Sequence, residues 1–244
     1  MTATLYHGDS RLLLAEPDFT HAAFQGRKID CLLTDPPYGV GFKSTYGKDP
    51  EAREKFQQAI EDDENVEQAI ASFTTTLDLT LPHMGDICEI YVFSQWQVSP
   101  EWQKFLDSLE ASHGIRLMQL IIWEKGYPGI GDVRYNWGCG HEFIYYLKRG
   151  NRPVPYRRSG IIHVDKVRPG TNIHPTEKPV ELLDILLQYS TKPGQLVFDP
   201  YAGSGSTLLA CKNSGRDAVG IEYKQSYFKD ATERLREGGG LLDL

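Results

Sequence analysis

Apolar residues fall along the chain in short blocks, each closed by an acid, a polar residue or a turn. Seven blocks read as strands: Thr4–His7, Asp30–Thr34, Glu89–Ser94, Leu117–Trp123, Glu142–Leu147, Gln195–Asp199 and Ala218–Glu222. Between them the apolar spacing changes to three and four residues. Val66, Ala69, Ile70, Phe73 and Leu77 form one helical stripe, and Trp102, Phe105, Leu106 and Leu109 form a second. A third carries Leu182, Leu183, Leu186 and Leu187, with Pro179 suited to its first turn and Glu181 near its positive end. Tyr227, Ala231 and Leu235 mark a last helix, stopped by Gly238-Gly239-Gly240.

Strands alternating with helices predict a mostly parallel sheet with helices on both faces. One pair departs from this pattern. Between Leu117–Trp123 and Glu142–Leu147 lies Glu124-Lys-Gly-Tyr-Pro-Gly-Ile-Gly131, rich in turn residues and without helical spacing. These two strands are expected to form an antiparallel hairpin at a sheet edge. Gly39–Glu51 and Gly150–Thr171 read as loops.

A chain of 244 residues, 40% hydrophobic, can fill one large α/β domain, and residues 1–244 are read as one. No apolar stretch is long enough to cross a bilayer. Met1-Thr-Ala-Thr-Leu-Tyr6 has no basic region followed by an apolar block, so a cytoplasmic protein without a signal peptide is expected. Cys31, Cys88, Cys139 and Cys211 form no CxxC pair, and three lie in or beside apolar runs, which suits buried reduced thiols. Cys139-Gly140-His141 alone is too sparse for zinc, and no metal is expected.

The formal net charge of -7 argues by itself against nucleic acid, but charge is not uniform. Acids crowd residues 49 to 67. Residues 148 to 168 hold Lys148, Arg149, Arg152, Arg157, Arg158, Lys166 and Arg168 against the single acid Asp165. Such a strip is either a solvated loop or a track for a phosphate backbone.

Two strand ends carry chemistry. At the first, Asp35-Pro36-Pro37-Tyr38 follows an apolar run. Ligands of open α/β sheets bind at the carboxyl ends of strands. Prolines lack N–H groups and fix φ, so the Asp35 carboxylate and the Pro36 carbonyl form a small set of acceptors beside the flat face of Tyr38. Acceptors on both N–H bonds of an exocyclic amine localise its lone pair, which is otherwise delocalised into the base. The alternative is a proline-stiffened turn.

At the second, Val197-Phe-Asp199 leads into Pro200-Tyr-Ala202-Gly203-Ser-Gly205-Ser206-Thr207, a glycine turn opening a helix, and the next strand ends in Glu222. Glycines admit close backbone approach, and the terminal acid suits ribose hydroxyls. A nicotinamide dinucleotide fits less well, because Leu208 stands where its third glycine would fall. Upstream, Thr176 in His174-Pro-Thr-Glu-Lys178-Pro179 either caps the following helix or, with Lys178, binds the carboxylate of a ligand's amino-acid tail.

Together these stretches resemble the S-adenosylmethionine-dependent amino-methyltransferases of DNA, in the beta class, where the catalytic motif precedes the cofactor loop. The resemblance implies a circularly permuted Rossmann-like fold with a seven-stranded sheet and one antiparallel strand. It implies that Asp9, Asp35, Thr176, Lys178, Asp199, Pro200, Ala202, Gly203, Gly205, Ser206, Thr207 and Glu222 hold S-adenosylmethionine. Asp35, Pro36, Pro37 and Tyr38 would hold a base flipped out of the duplex. Trp123-Glu-Lys125 and His141-Glu142 resemble weaker family motifs near the target pocket, although His141 also fits a satisfied histidine at a strand start.

The chain departs from the family in having Tyr201 and Ser206 where Phe and Thr are common, and in a short target-recognition segment, about 148–171. Asp rather than Ser at the head of the first motif favours adenine N6 in DNA. Cytosine N4, RNA adenine, a catalytically dead DNA-binding regulator and an oxidoreductase are the rivals. The expected partner is DNA, dimers being common in the family, in a bacterial or phage restriction–modification setting.

Overall fold

Parallel pairing of an early strand with a late one organises the sheet. The structure is a computed structural model that describes residues 2–41, 63–126, 135, 137–167 and 177–237. Its strands are β1 (Ala3–His7), β2 (Ile29–Thr34), β3 (Met84–Ser94), β4 (Ile115–Glu124), β5 (His141–Arg149), β6 (Ile161–His163), β7 (Leu196–Asp199) and β8 (Asp217–Glu222). The helices are α1 (Ser10–Leu14), α2 (Pro17–Phe24), α3 (Val66–Thr80), α4 (Ser99–His113), α5 (Val180–Ser190), α6 (Ser206–Asn213) and α7 (Gln225–Glu237). The spatial order is β1-β8-β7-β2-β3-β5-β4-β6, and only β5 runs against its neighbours.

All seven predicted strands are present, and an eighth joins them. β6 lies inside the segment read as a loop and pairs parallel to β4, Ile122 with Ile161 and Glu124 with His163. Three residues are too few to show alternation, and only Ile162 of β6 is buried. The β4–β5 hairpin is antiparallel as expected, but β6 covers its outer side, so it is not the sheet edge. β3 begins five residues before its predicted start, because its opening stretch, Gly85-Asp86-Ile87, is partly exposed and shows no apolar run.

The predicted helical stripes are the buried faces. Ala69, Phe73 and Leu77 of α3, Trp102, Leu106 and Leu109 of α4, and Leu182, Leu183, Leu186 and Leu187 of α5 all lie in the core. Each such leucine stabilises the fold by about 1.5–3 kcal/mol relative to exposure. Pro179 is the N-cap of α5 and fixes where that helix starts. The glycines expected to stop α7 lie outside the described residues.

Midway along β3 the basic strip finds an internal anion. Buried Glu89 accepts from the Tyr146 hydroxyl at 2.5 Å and pairs with Arg152 at 3.2 Å and Lys148 at 3.8 Å. Lys148 also donates to the Arg152 carbonyl at 2.9 Å, and Arg149 to the Leu81 carbonyl at 3.1 Å. Removing one partner of a buried ion pair costs about 3–5 kcal/mol. Glu89→Ala is therefore expected to lower the unfolding free energy by about that amount. A urea midpoint equal to wild type would contradict this account of the cluster.

Candidate active site

Four acids stand at carboxyl ends of parallel strands, and one pocket gathers them. It is lined by Asp9, Asp35, Asp199 and Glu222, with Pro36 to Tyr38, Lys178, Pro200 to Ser204, Ser206 and Thr207. The parallel pairing of Cys31 with Val197 and Leu32 with Phe198 sets the ends of β2 and β7 side by side.

The segment after β2 is clamped from three sides. One oxygen of buried Asp63 accepts from the backbone N–H groups of Tyr38 at 3.0 Å, Gly39 at 2.7 Å and Val40 at 3.2 Å. The Trp102 indole N–H donates to the Tyr38 carbonyl at 3.1 Å. Gly39 has φ +86°, and a Cβ there would lie 2.3 Å from the Val66 backbone, so glycine is required. Tyr38 is only 8% exposed and its hydroxyl donates to Asp35, so its ring is engaged from within the pocket wall and is not an open platform.

Asp35 forms an ion pair with Lys178 at 2.6 Å. Burial raises its pKa, and the Lys178 charge opposes that shift. Lys178 lies 3.2 Å from Glu142, which in turn lies 2.6 Å from Lys125. Burial favours neutral Lys178, but Asp35 and Glu142 outweigh it and raise its pKa. Burial likewise opposes the Glu142 charge, and the two lysines hold its pKa low.

The glycine turn after β7 is built by backbone hydrogen bonds. Asp199 accepts from Tyr201 N–H at 3.0 Å, Ala202 N–H bonds to the Ile221 carbonyl at 2.9 Å, and Gly203 N–H bonds to Glu222 at 2.8 Å. Gly203 has φ +52°, and a Cβ there would meet nothing within 4 Å, which leaves space against the turn. Gly205, at φ +72°, precedes α6. Arg234 of α7 ties the turn down, donating to Ser206 Oγ at 2.9 Å and the Ser204 carbonyl at 3.2 Å while pairing with Glu177 at 2.6 Å. Asp9 caps α1 and pairs with Arg11 at 2.7 Å, which lowers its pKa.

The structure thus brings together nearly all the residues read from the two motifs. Thr176 and Arg168 lie outside the described residues, as do residues 42–62. The basic strip is divided. Lys148 and Arg152 serve the Glu89 cluster and Arg149 donates to the Leu81 carbonyl, and none of the three lines the pocket. Arg157 and Arg158 are exposed between Tyr156, whose ring meets Tyr189 of α5, and β6. The Lys166 backbone N–H donates to the Lys125 carbonyl at 3.3 Å, near the carboxyl end of β4. His141 lies half-buried with its ring 5.4 Å from that of Phe143.

Sequence reasoning missed Asp63, Trp102 and Arg234. Asp63 was masked by its run of acids, and Trp102 passed as core. Arg234 shares the α7 face of Tyr227 and Ala231, and a cation in that stripe was the available signal.

Acids at the carboxyl ends of a mostly parallel sheet, beside a glycine turn that opens a helix, make this pocket the ligand site of an α/β fold. Residues 29–233 match the model of the N6/N4 family described as DNA methylase, and the chain belongs to that family. It is 30% identical over 217 residues to the putative methylase YubD of Escherichia coli (strain K12), covering 88% of this chain and 85% of that one. It is 25% identical over 249 residues to type II methyltransferase M.HpaI of Haemophilus parainfluenzae, covering 93% and 74%. The fold is similar to that of the M1.HpyAVI–SAM complex (TM-score 0.66, 23% identity, 95% and 98% covered). It is also similar to that of the PvuII DNA methyltransferase, cytosine-N4-specific (TM-score 0.72, 16% identity, 100% and 88% covered). Enzymes of this family use S-adenosylmethionine.

Burial pushes the carboxyl of Asp199 up to about 7 and that of Glu222 up to about 7. With folded pKa values above the ordinary carboxylate range, the folded chain binds more protons than the unfolded chain between that range and neutrality. Stability of the ligand-free protein therefore falls as pH rises through this window. Between about pH 5 and about pH 8 the Tm of wild type should drop more steeply than that of Asp199→Asn/Glu222→Gln. Equal slopes would contradict the burial of these charges.

Proposed function

We propose that this chain transfers a methyl group from S-adenosylmethionine to the exocyclic N6 amine of adenine in DNA, the base being flipped into the pocket at Asp35-Pro36-Pro37-Tyr38. The observation that carries this reading is that the Asp35 end of β2 and the glycine turn after β7 line one pocket. The residues present fit the cofactor. Gly203 leaves open space along the turn, and Asp199 and Glu222 are buried carboxylates suited to hydroxyl or cationic groups. Asp199, Pro200, Ala202, Gly203, Gly205, Ser206, Thr207, Glu222 and Asp9 would hold it. When bound, S-adenosylmethionine supplies a methyl group on a sulfonium whose departure leaves a neutral thioether.

The chain's own work is positioning and exclusion of water. Asp35 and the Pro36 carbonyl would accept from the two amine N–H groups, which would localise the nitrogen lone pair for attack. The N–C bond would form as the C–S bond breaks, and the cationic nitrogen would then lose its proton to Asp35 or through it to solvent. Flipping costs a few kcal/mol, which pocket contacts must offset. Contacts to the phosphate backbone fall to exposed Arg157 and Arg158, with Lys166, rather than to Lys148 and Arg152, which pair with Glu89, or to Arg149, which bonds the Leu81 carbonyl.

Asp35→Ala is expected to lower the single-turnover rate of labelled-methyl transfer to DNA by about 100-fold or more. Full activity in this variant would remove Asp35 from the mechanism. Digesting the product to nucleosides decides the base. N6-methyladenine is expected. N4-methylcytosine would favour the second reading, supported by the similarity of fold to a cytosine-N4-specific enzyme. In DNA binding, Arg157→Ala/Arg158→Ala should flatten the salt dependence of affinity by about one to two phosphate contacts. An unchanged slope would return that segment to a solvated loop.

A further inference from the structure

The charged side chains beside Asp35 form an alternating row drawn from four parts of the chain. Asp35 follows β2, Lys178 precedes α5, Glu142 opens β5 and Lys125 follows β4. The successive N–O separations are 2.6, 3.2 and 2.6 Å. Lys178 stands at the centre of this row and is only 8% exposed at its side chain. An ammonium has three N–H groups. Lys178 donates to the Tyr38 hydroxyl at 3.3 Å and is ion-paired with both the Asp35 and Glu142 carboxylates. Its charge also lies 5.0 Å from the centre of the Phe93 ring and 5.9 Å from that of Tyr38. Little donor capacity remains for the carboxylate of a cofactor's tail, the role its motif suggests in the sequence.

We propose that Lys178 is a positioning residue for Asp35, fixing that carboxylate in place and in its charged form. The proposal rests on Asp35 as the acceptor of the target amine. Asp35 is half-buried, its side chain 23% exposed, and among the described residues the charged or titratable groups facing it are Tyr38 from its own segment, Lys178 from the α5 side, Glu142 from β5 and Asp199 from β7. Of these only Lys178 is cationic. Without it, Asp35 would face Glu142 and Asp199 in a low-dielectric wall and take up a proton. A protonated carboxyl loses acceptor capacity and gains a donor that an amine N–H repels. Glu142 acts in the opposite sense on Asp35, so the two neighbours can be told apart by sign.

The test follows the 13C carboxyl signal of Asp35 against pH in wild type, Lys178→Met and Glu142→Gln. The Asp35 midpoint should rise in Lys178→Met and fall in Glu142→Gln. A merely structural role would not move it in opposite directions. In single-turnover transfer, Lys178→Met should be slower by about 100-fold at neutral pH, with the Kd for S-adenosylmethionine changed by less than about threefold. Its acid limb should shift in the same direction as the carboxyl midpoint. An unmoved midpoint overturns the proposal. So does a loss of cofactor affinity that matches the loss of rate, which would return Lys178 to the cofactor's tail. Lys178→Met leaves two carboxylates without their shared cation. If it does not fold, Glu142→Gln decides alone, and its midpoint must fall. If wild type methylates no DNA, the functional reading fails while the titration still decides this proposal.

Discussion

The site depends on the parallel hydrogen bonding of β2 to β7. Neither strand end is a site alone. The end of β2 offers acceptors, and the end of β7 offers a glycine turn and a buried acid. The pairing of Leu32 with Phe198 converts two motifs more than 160 residues apart into adjoining walls of one pocket. That distance in sequence makes the contact costly in chain entropy, and the core residues that offset it, Leu32, Leu33, Val197 and Phe198, are fully buried.

A second constraint is electrostatic. Several carboxylates line the pocket, and the fold treats them differently. Asp63 accepts three backbone N–H bonds and so fixes the course of the chain after Tyr38. Asp9 and Asp35 each have a cation within 2.7 Å. Asp199 and Glu222 instead accept from backbone N–H groups, and burial raises both. Asp63, Asp9 and Asp35 are thus held by the protein itself. Asp199 and Glu222 are the acids whose charge a ligand can still stabilise, and they flank the glycine turn. A methyl donor with ribose hydroxyls and a cationic centre suits that remainder.

Much of this was legible in the sequence, and the gaps have physical causes. Strands ending in Asp35, Asp199 and Glu222 were visible because a buried apolar run that stops abruptly at an acid marks a strand opening onto a polar site. The helical stripes of α3, α4 and α5 were visible because their spacing is regular. β6 was not, since a three-residue strand has no period. The basic strip misled because charge in a sequence carries no direction: Lys148 and Arg152 turn inward to Glu89, far off along the chain, and only the β3–β5 register reveals it. The row Asp35–Lys178–Glu142–Lys125 was equally hidden, because its members come from segments that meet only in the fold. Asp63 and Arg234 act by holding other residues, and such roles leave little trace in local pattern.

The most direct measurement is a crystal structure of the chain with S-adenosylhomocysteine. The account predicts the ligand along Asp199–Gly205 with its sulfur facing Asp35, leaving room for a base nitrogen about 3–3.5 Å from the position of the lost methyl carbon. A ligand seated elsewhere, or a sulfur turned away from the end of β2, would contradict it.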